Sequence, residues 1–241
     1  YRAPFRPLAG GISIAERDLG ELSRLLDGRS VAAVIVEPVQ GEGGVRVLEP
    51  AFLSGLRELT RERNIALIFD EVQCGLGRTG WLFAYERADV VPDVVTLAKP
   101  LAGGLPMGAI LVSAEIGAAV RAGDHGSTFG GGPFVSTVAK HVFDRLSDPA
   151  LLARVRENGA WLGEQLRALA LRREEIRAVR GVGYLWGLDV TRPAGEIVAN
   201  AREGGLLILT AGDYTLRLLP PLITTREELA HGIELIERAL T

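Results

Sequence analysis

Lysine is almost absent from this chain. Of its 27 basic residues only two are lysines, Lys99 and Lys140; the rest are arginine. A lysine kept in such a background is either a chance survivor at the surface or a residue whose amine is needed. A desolvated amine can lose its proton and attack a carbonyl to form a Schiff base, and a guanidinium cannot. Cysteine is scarcer still. Cys74 stands alone, which excludes an internal disulfide and fits a reducing compartment. The three histidines, His125, His141 and His231, are too scattered for zinc-ligand spacing, so no metal site is expected. The net charge of −3 gives no basic surplus to draw nucleic acid. No apolar run approaches the ~20 residues of a membrane helix; the longest uncharged stretch, residues 100–114, is broken by proline and glycine. These absences point to a cytoplasmic protein with neither a membrane nor a nucleic-acid partner.

What is present is enough apolar chain, 47% of 241 residues, to bury the core of one large domain or two modest ones. Short Val- and Ile-rich runs at 30–38, 65–71, 93–99 and 108–113 read as buried strands. Helical spacing at 49–64, with apolar positions 52, 53, 56 and 59, separates the first two. Alternation of apolar strands with helices predicts a mostly parallel sheet covered on both faces. A helix over 133–149 ends at Pro149, and a long amphipathic helix follows over 150–170 despite its glycines. Then come a strand over 181–190, a helix over 194–203, strands over 206–211 and 215–221, and a helix over 226–239. The break at "SDP" suggests domains of 1–147 and 148–241, the first α/β and the second a smaller α+β unit.

Three apolar runs finish on a charge: Glu37, Asp70 and Lys99. Strands must end somewhere, and polar residues end them. Ligands of open parallel sheets, however, bind outside the carboxyl ends of the strands, where these groups would converge. "GLGRTG" at 75–80 matches the glycine spacing of a dinucleotide turn, but "DEVQC" intervenes after the strand and too little chain remains before Pro92 for a long helix. P-loop, serine-hydrolase and zincin motifs do not occur.

Five segments in order, "VIVEPVQGEGG", "LIFDEVQCGLGRTG", "TLAKPLAGGLPMGA", "HGSTFGGGP" and "LRLLPPL", resemble the class III pyridoxal-phosphate aminotransferases and look most like the acetylornithine branch. The resemblance implies a fold-type-I homodimer with its sites at the subunit interface, and pyridoxal 5'-phosphate as cofactor. It implies that Lys99 forms the Schiff base with the cofactor and moves protons, and that Asp70 faces the pyridine nitrogen. Gln73 would bond the phenolic oxygen, with Glu71 and Val72 in the same contact segment. Thr128 would hold the phosphate, and Ser127 the substrate, of the other subunit. Arg217 would clamp the α-carboxylate of glutamate or 2-oxoglutarate, and Glu42 would mask Arg217 when the other substrate is bound. Without the resemblance, "GSTFGGGP" reads as a flexible turn and Arg217 as an edge or surface residue. Gly132 departs from the Asn usual in the family. The family's N-terminal phosphate turn, ring-stacking aromatic and acyl-substrate arginine have no counterpart, so a partial copy is expected. The reaction implied moves the terminal amino group of N-acetylornithine, or a similar acylated diamine, to 2-oxoglutarate, giving the semialdehyde and glutamate. The alternatives are a lysine-pathway, ornithine or 4-aminobutyrate aminotransferase, or a truncated non-catalytic copy that keeps the fold.

Overall fold

The structure, a computed structural model, describes residues 8, 10–27 and 30–241; residues 1–7, 9, 28 and 29 lie outside that description. The chain runs α1 (Leu19–Asp27), β1 (Ala33–Val36), β2 (Val39–Gln40), β3 (Arg46–Val47), α2 (Pro50–Glu62), β4 (Ala66–Asp70), β5 (Val94–Leu97), β6 (Ala109–Val112), α3 (Ala114–Ala119) and α4 (Pro133–Leu146). It continues through α5 (Pro149–Arg172), β7 (Ile176–Val182), β8 (Leu185–Val190), α6 (Ala194–Glu203), β9 (Leu209–Thr210), β10 (Thr215–Leu218) and α7 (Arg226–Ala239).

The first sheet has the order β1-β4-β5-β6; only the β5/β6 pair is antiparallel. The expected mostly parallel sheet is therefore present. Its covering differs from expectation. Registered partners share a face, so Val34, Leu67, Phe69 and Val95 line one side and Ile35, Ile68, Val94, Thr96 and Ile110 the other. The first side packs against Leu22, Leu26, Leu53 and Leu56 of α1 and α2 and, toward β5, Ala139 of α4. All three helices lie on that side. The opposite side is open among the described residues, with Ile35 63% and Ile110 67% exposed.

The second sheet, β7-β8-β10-β9, is antiparallel throughout. The expected strand over 181–190 is instead a hairpin, because Gly183 turns the chain at φ +56 and β7 begins earlier, at Ile176. Trp186, Leu188 and Leu216 face a core built with α5, α6 and α7. Their neighbours Gly187, Asp189, Thr215 and Arg217 face the other way, toward the β2/β3 ribbon. Pro149, expected to stop a helix, opens one: Asp148 caps α5 by accepting the Ala150 N–H at 2.9 Å, and proline suits the first helical position. No helix among the described residues is long and apolar enough to cross a membrane.

The α5 glycines have a packing cause. A Cβ on Gly159 would lie 2.6 Å from the Gly183 backbone, and one on Gly163 would lie 2.2 Å from Trp186. Glycine normally weakens a helix by ~1 kcal/mol relative to alanine, but here it permits α5 to meet the hairpin turn. Gly159→Ala is expected to destabilise by ~1–3 kcal/mol through overpacking. Gly232→Ala in α7, where a Cβ meets nothing within 4 Å, should be neutral or stabilising. Thermal melts of the two variants check this; equal shifts would contradict it.

Candidate active site

Parallel pairing places the ends of β1, β4 and β5 at one sheet edge, with Glu37, Asp70 and Lys99 just beyond the apolar runs. Asp70 lies opposite Thr96, and its Oδ1 accepts from the Thr96 hydroxyl and the Val72 N–H, both at 3.0 Å. These two donors fix the carboxylate on the open side of the sheet. The Glu37 carboxyl is held above its ordinary value, chiefly by burial; the Gly41 N–H works against this, as does the Lys99 charge, while Asp70 and Glu42 add to it. All four charged groups thus act on one small region.

Lys99 begins a short 3₁₀ turn at φ +42, directly before Pro100. A left-handed backbone at a non-glycine residue costs on the order of 1–3 kcal/mol, and proline further disfavours helical angles in the residue before it. Such strain persists where the surroundings over-determine it, as at reactive sites. Lys99 is exposed, contrary to the desolvated amine expected: the turn carries it past the sheet edge, and no described element covers it.

Arg217 comes from the second sheet. It is buried, and its Nη1 donates to Glu42 Oε1 at 2.5 Å and to Gln73 Oε1 at 3.4 Å. Gln73 Nε2 donates to the same Glu42 oxygen at 3.3 Å. Gly41 makes room for this cluster, since a Cβ there would lie 1.3 Å from Gln73 Oε1. Arg217 Nε is buried without a partner among the described residues.

Other candidates lie elsewhere. The carboxylate of Glu71 accepts the N–H groups of Ala84 and Tyr85 at 2.7 and 2.9 Å, so its side chain holds the 84–88 turn and any cofactor contact would come from its backbone. Val72 is half-buried, and its N–H is engaged by Asp70. Ser127 and Thr128 lie on an exposed loop before α4, where Ser127 Oγ accepts the Gly130 N–H at 2.9 Å. Among the described residues, no hydrogen bond joins that loop to Asp70, Gln73, Lys99 or Arg217.

Burial pushes the Glu71 carboxyl up to about 7, aided by the charges of Glu86 and Asp70 and opposed by the two N–H bonds. The folded state therefore favours the protonated acid. Its stabilising contribution is complete below the ordinary value of 4.5 and is lost as pH rises through about 7. Denaturation midpoints of the parent should fall across that window, and Glu71→Gln should flatten the fall. An unchanged slope in Glu71→Gln would refute the assignment.

Sequence reasoning missed Thr96, which register sets opposite Asp70, and Arg180, which reaches the Gly44 carbonyl and Asp189. It also left "GLGRTG" unassigned. Arg78 Nη1 donates to the carbonyls of Tyr184 and Pro220 at 3.3 and 2.5 Å, and Tyr184 N–H donates to the Arg78 carbonyl at 2.9 Å. Burial lowers the Arg78 guanidinium to about 10. The segment is a wedge tying the Asp70–Gln73 stretch to the second sheet. Among the described residues, no group of three or more His, Cys, Asp or Glu could hold a metal ion.

Residues 10–240 match the family model described as Aminotransferase class-III. The chain is 44% identical over 242 residues to a mitochondrial acetylornithine aminotransferase of Alnus glutinosa, covering 100% of this chain and 54% of that protein. It is 40% identical over 242 residues to an acetylornithine aminotransferase of Clostridium acetobutylicum, covering 100% and 62%. Among solved structures, the acetylornithine aminotransferase of Elizabethkingia anophelis superposes with a TM-score of 0.90 at 34% identity, covering 95% of this chain and 59% of that one. The ornithine aminotransferase of Toxoplasma gondii gives 0.92 at 35%, covering 99% and 58%. The chain spans roughly half to three-fifths of the length of these relatives.

Proposed function

Because the chain belongs to the class-III aminotransferases, we propose that it transfers the terminal amino group of N-acetylornithine to 2-oxoglutarate, with pyridoxal 5'-phosphate as cofactor. The observation that carries this reading is the juxtaposition of two pairs: Lys99 with Asp70 at neighbouring strand ends, and Arg217 with Glu42 beside Gln73.

The donor set suits the cofactor. A primary amine can bond an aldehyde, and a carboxylate fixed by Thr96 and the Val72 N–H can hold a ring-nitrogen proton. Lys99 and Asp70 would hold it, with Gln73 beside them and Thr128 of a second copy at the phosphate. When bound, it supplies an electron sink for the substrate carbon that carries the transferred amine. Lys99 Nζ removes a proton from that carbon and later returns one. The Asp70 carboxylate, oriented by Thr96 and the Val72 N–H, would hold the proton of the ring nitrogen. Arg217 binds the α-carboxylate of glutamate or 2-oxoglutarate through paired charge-assisted bonds. Glu42, already on Arg217, closes that subsite while the acylated substrate is present.

The same reading makes the protein a homodimer. Its support is the exposure of Ser127 and Thr128, with Phe129 89% exposed between loop and helix, which suits a loop that enters a second copy's site. It divides the chain at 147/148, since α4 packs on the first sheet and α5 on the second. It places the protein in the cytoplasm on its single buried cysteine, Cys74.

The deciding experiment incubates purified protein with pyridoxal phosphate, 2-oxoglutarate and either N-acetylornithine or ornithine, and measures glutamate. Glutamate formed faster with N-acetylornithine is expected. A preference for ornithine would redirect the reading to that branch, and no glutamate from either would overturn it.

A further inference from the structure

We infer that Arg180 is a positioning residue for the Glu42–Arg217 gate: with Asp189 and Thr215 it clamps the carbonyl of Gly44, and so holds the ribbon turn that carries Glu42 over Arg217. The inference rests on the gate reading given above.

The geometry is continuous. Arg180 on β7 forms a two-pronged pair with Asp189 on β8, Nη1 to Oδ2 at 2.5 Å and Nη2 to Oδ1 at 2.7 Å. The Thr215 hydroxyl on β10 donates to Asp189 Oδ1 at 2.6 Å. Arg180, and after it Thr215, hold the Asp189 carboxyl below its ordinary range against the opposing effect of burial. The guanidinium is thereby fixed in orientation, and its remaining Nε donates to the Gly44 carbonyl at 2.6 Å. Gly44 lies two residues beyond Glu42, in the turn between β2 and β3. Thr215 and Arg217 are two apart on β10 and therefore share a face, so clamp and gate stand side by side on one sheet surface.

The turn needs holding. Gly44 lies at φ +99, and Val45 after it at φ +50, a backbone region strained for a β-branched residue. Val45 is fully buried over Gly187, the residue registered opposite Arg217; a Cβ on Gly187 would lie 2.9 Å from the Val45 Cβ. Two contacts thus seat the turn, a charged one at Gly44 and an apolar one at Val45. A lysine at 180 could not make both the forked pair and the carbonyl bond.

If the clamp seats the gate, loosening it must act on ligand affinity in the direction that removing Glu42 does. 2-Oxoglutarate must displace Glu42 from Arg217, so an unseated Glu42 gives tighter binding. Because the Glu42 side chain is 43% exposed, the gain sits at the low end of charge-assisted pairs, about tenfold in affinity. Calorimetric titration of the protein with 2-oxoglutarate reads this without turnover. Glu42→Gln, Arg180→Lys and Gly187→Ala are each expected to tighten binding, and Arg180→Lys to add nothing in a Glu42→Gln background. Gly187→Ala removes no charge and tests the same seat should Arg180→Lys fail to fold. If Glu42→Gln tightens binding while Arg180→Lys and Gly187→Ala leave it unchanged or weaken it, the clamp is wrong and the gate survives. If Glu42→Gln itself changes nothing, the gate reading fails and the clamp falls with it.

Discussion

Lys99→Arg is expected to give a folded protein that neither bonds the cofactor nor turns over. A guanidinium keeps its charge and forms no stable bond with an aldehyde, so both the covalent anchor and the proton carrier are lost. Removing a nucleophile of this kind lowers turnover by several powers of ten. Stability should hardly change: Lys99 is exposed, and surface substitutions of this type stay within ~0.5 kcal/mol. Lys140→Arg is the matched control, since Lys140 is exposed on α4 and pairs with Asp144, four residues on. Incubation with pyridoxal phosphate followed by borohydride reduction should add one pyridoxyl mass to the peptide containing residue 99. That adduct should persist in Lys140→Arg and vanish in Lys99→Arg. Labelling at Lys140 instead, or turnover by Lys99→Arg, would remove Lys99 from the centre of the site.

Arg217→Ala should have the next largest effect, confined to one substrate. The guanidinium is buried and its Nε lacks a partner among the described residues, so a dicarboxylate arriving at the site would find a donor set already desolvated. Losing charge-assisted bonds to a carboxylate costs ~1.5–3 kcal/mol, which is about 10- to 150-fold in affinity. The loss should appear in the glutamate and 2-oxoglutarate half-reaction and leave the N-acetylornithine half-reaction nearly intact. Glu42→Gln should move the first half-reaction the opposite way. Single-turnover rates for each half-reaction separate the two. Equal losses in both after Arg217→Ala would mean that the residue supports structure rather than recognition.

Much of this arrangement was legible in the order of residues. The Val- and Ile-rich runs became β1, β4, β5 and β6, as their short length and β-branched content favour. Lys99 stood out because one chemical property, an amine that can lose its proton, separates it from the arginines around it. The five motifs pointed to the family that the whole-chain match supports. Local chemistry misled where several readings fit. The stretch 181–190 read as one strand, and Gly183 at φ +56 makes it the turn and second arm of a hairpin. The resemblance sets Glu71 in one contact segment with Asp70, and the N–H groups of Ala84 and Tyr85 engage its side chain, which leaves the backbone for that role.

The sequence by itself determined the four strands of the first sheet, the longer helices from α2 onward, the lysine and the family, because each is written in neighbouring residues or in their chemical type. Only the tertiary structure decided which side of the first sheet the helices cover, that Lys99 sits at positive φ, and which partners meet. Glu42 and Arg217 are 175 residues apart in the chain, and Arg180 and Gly44 are 136 apart. Such pairs leave no local pattern. They exist because the ribbon turn lies across the polar face of the second sheet, where register sets Thr215 opposite Asp189 and Arg217 opposite Gly187, and Val45 has only a glycine beneath it.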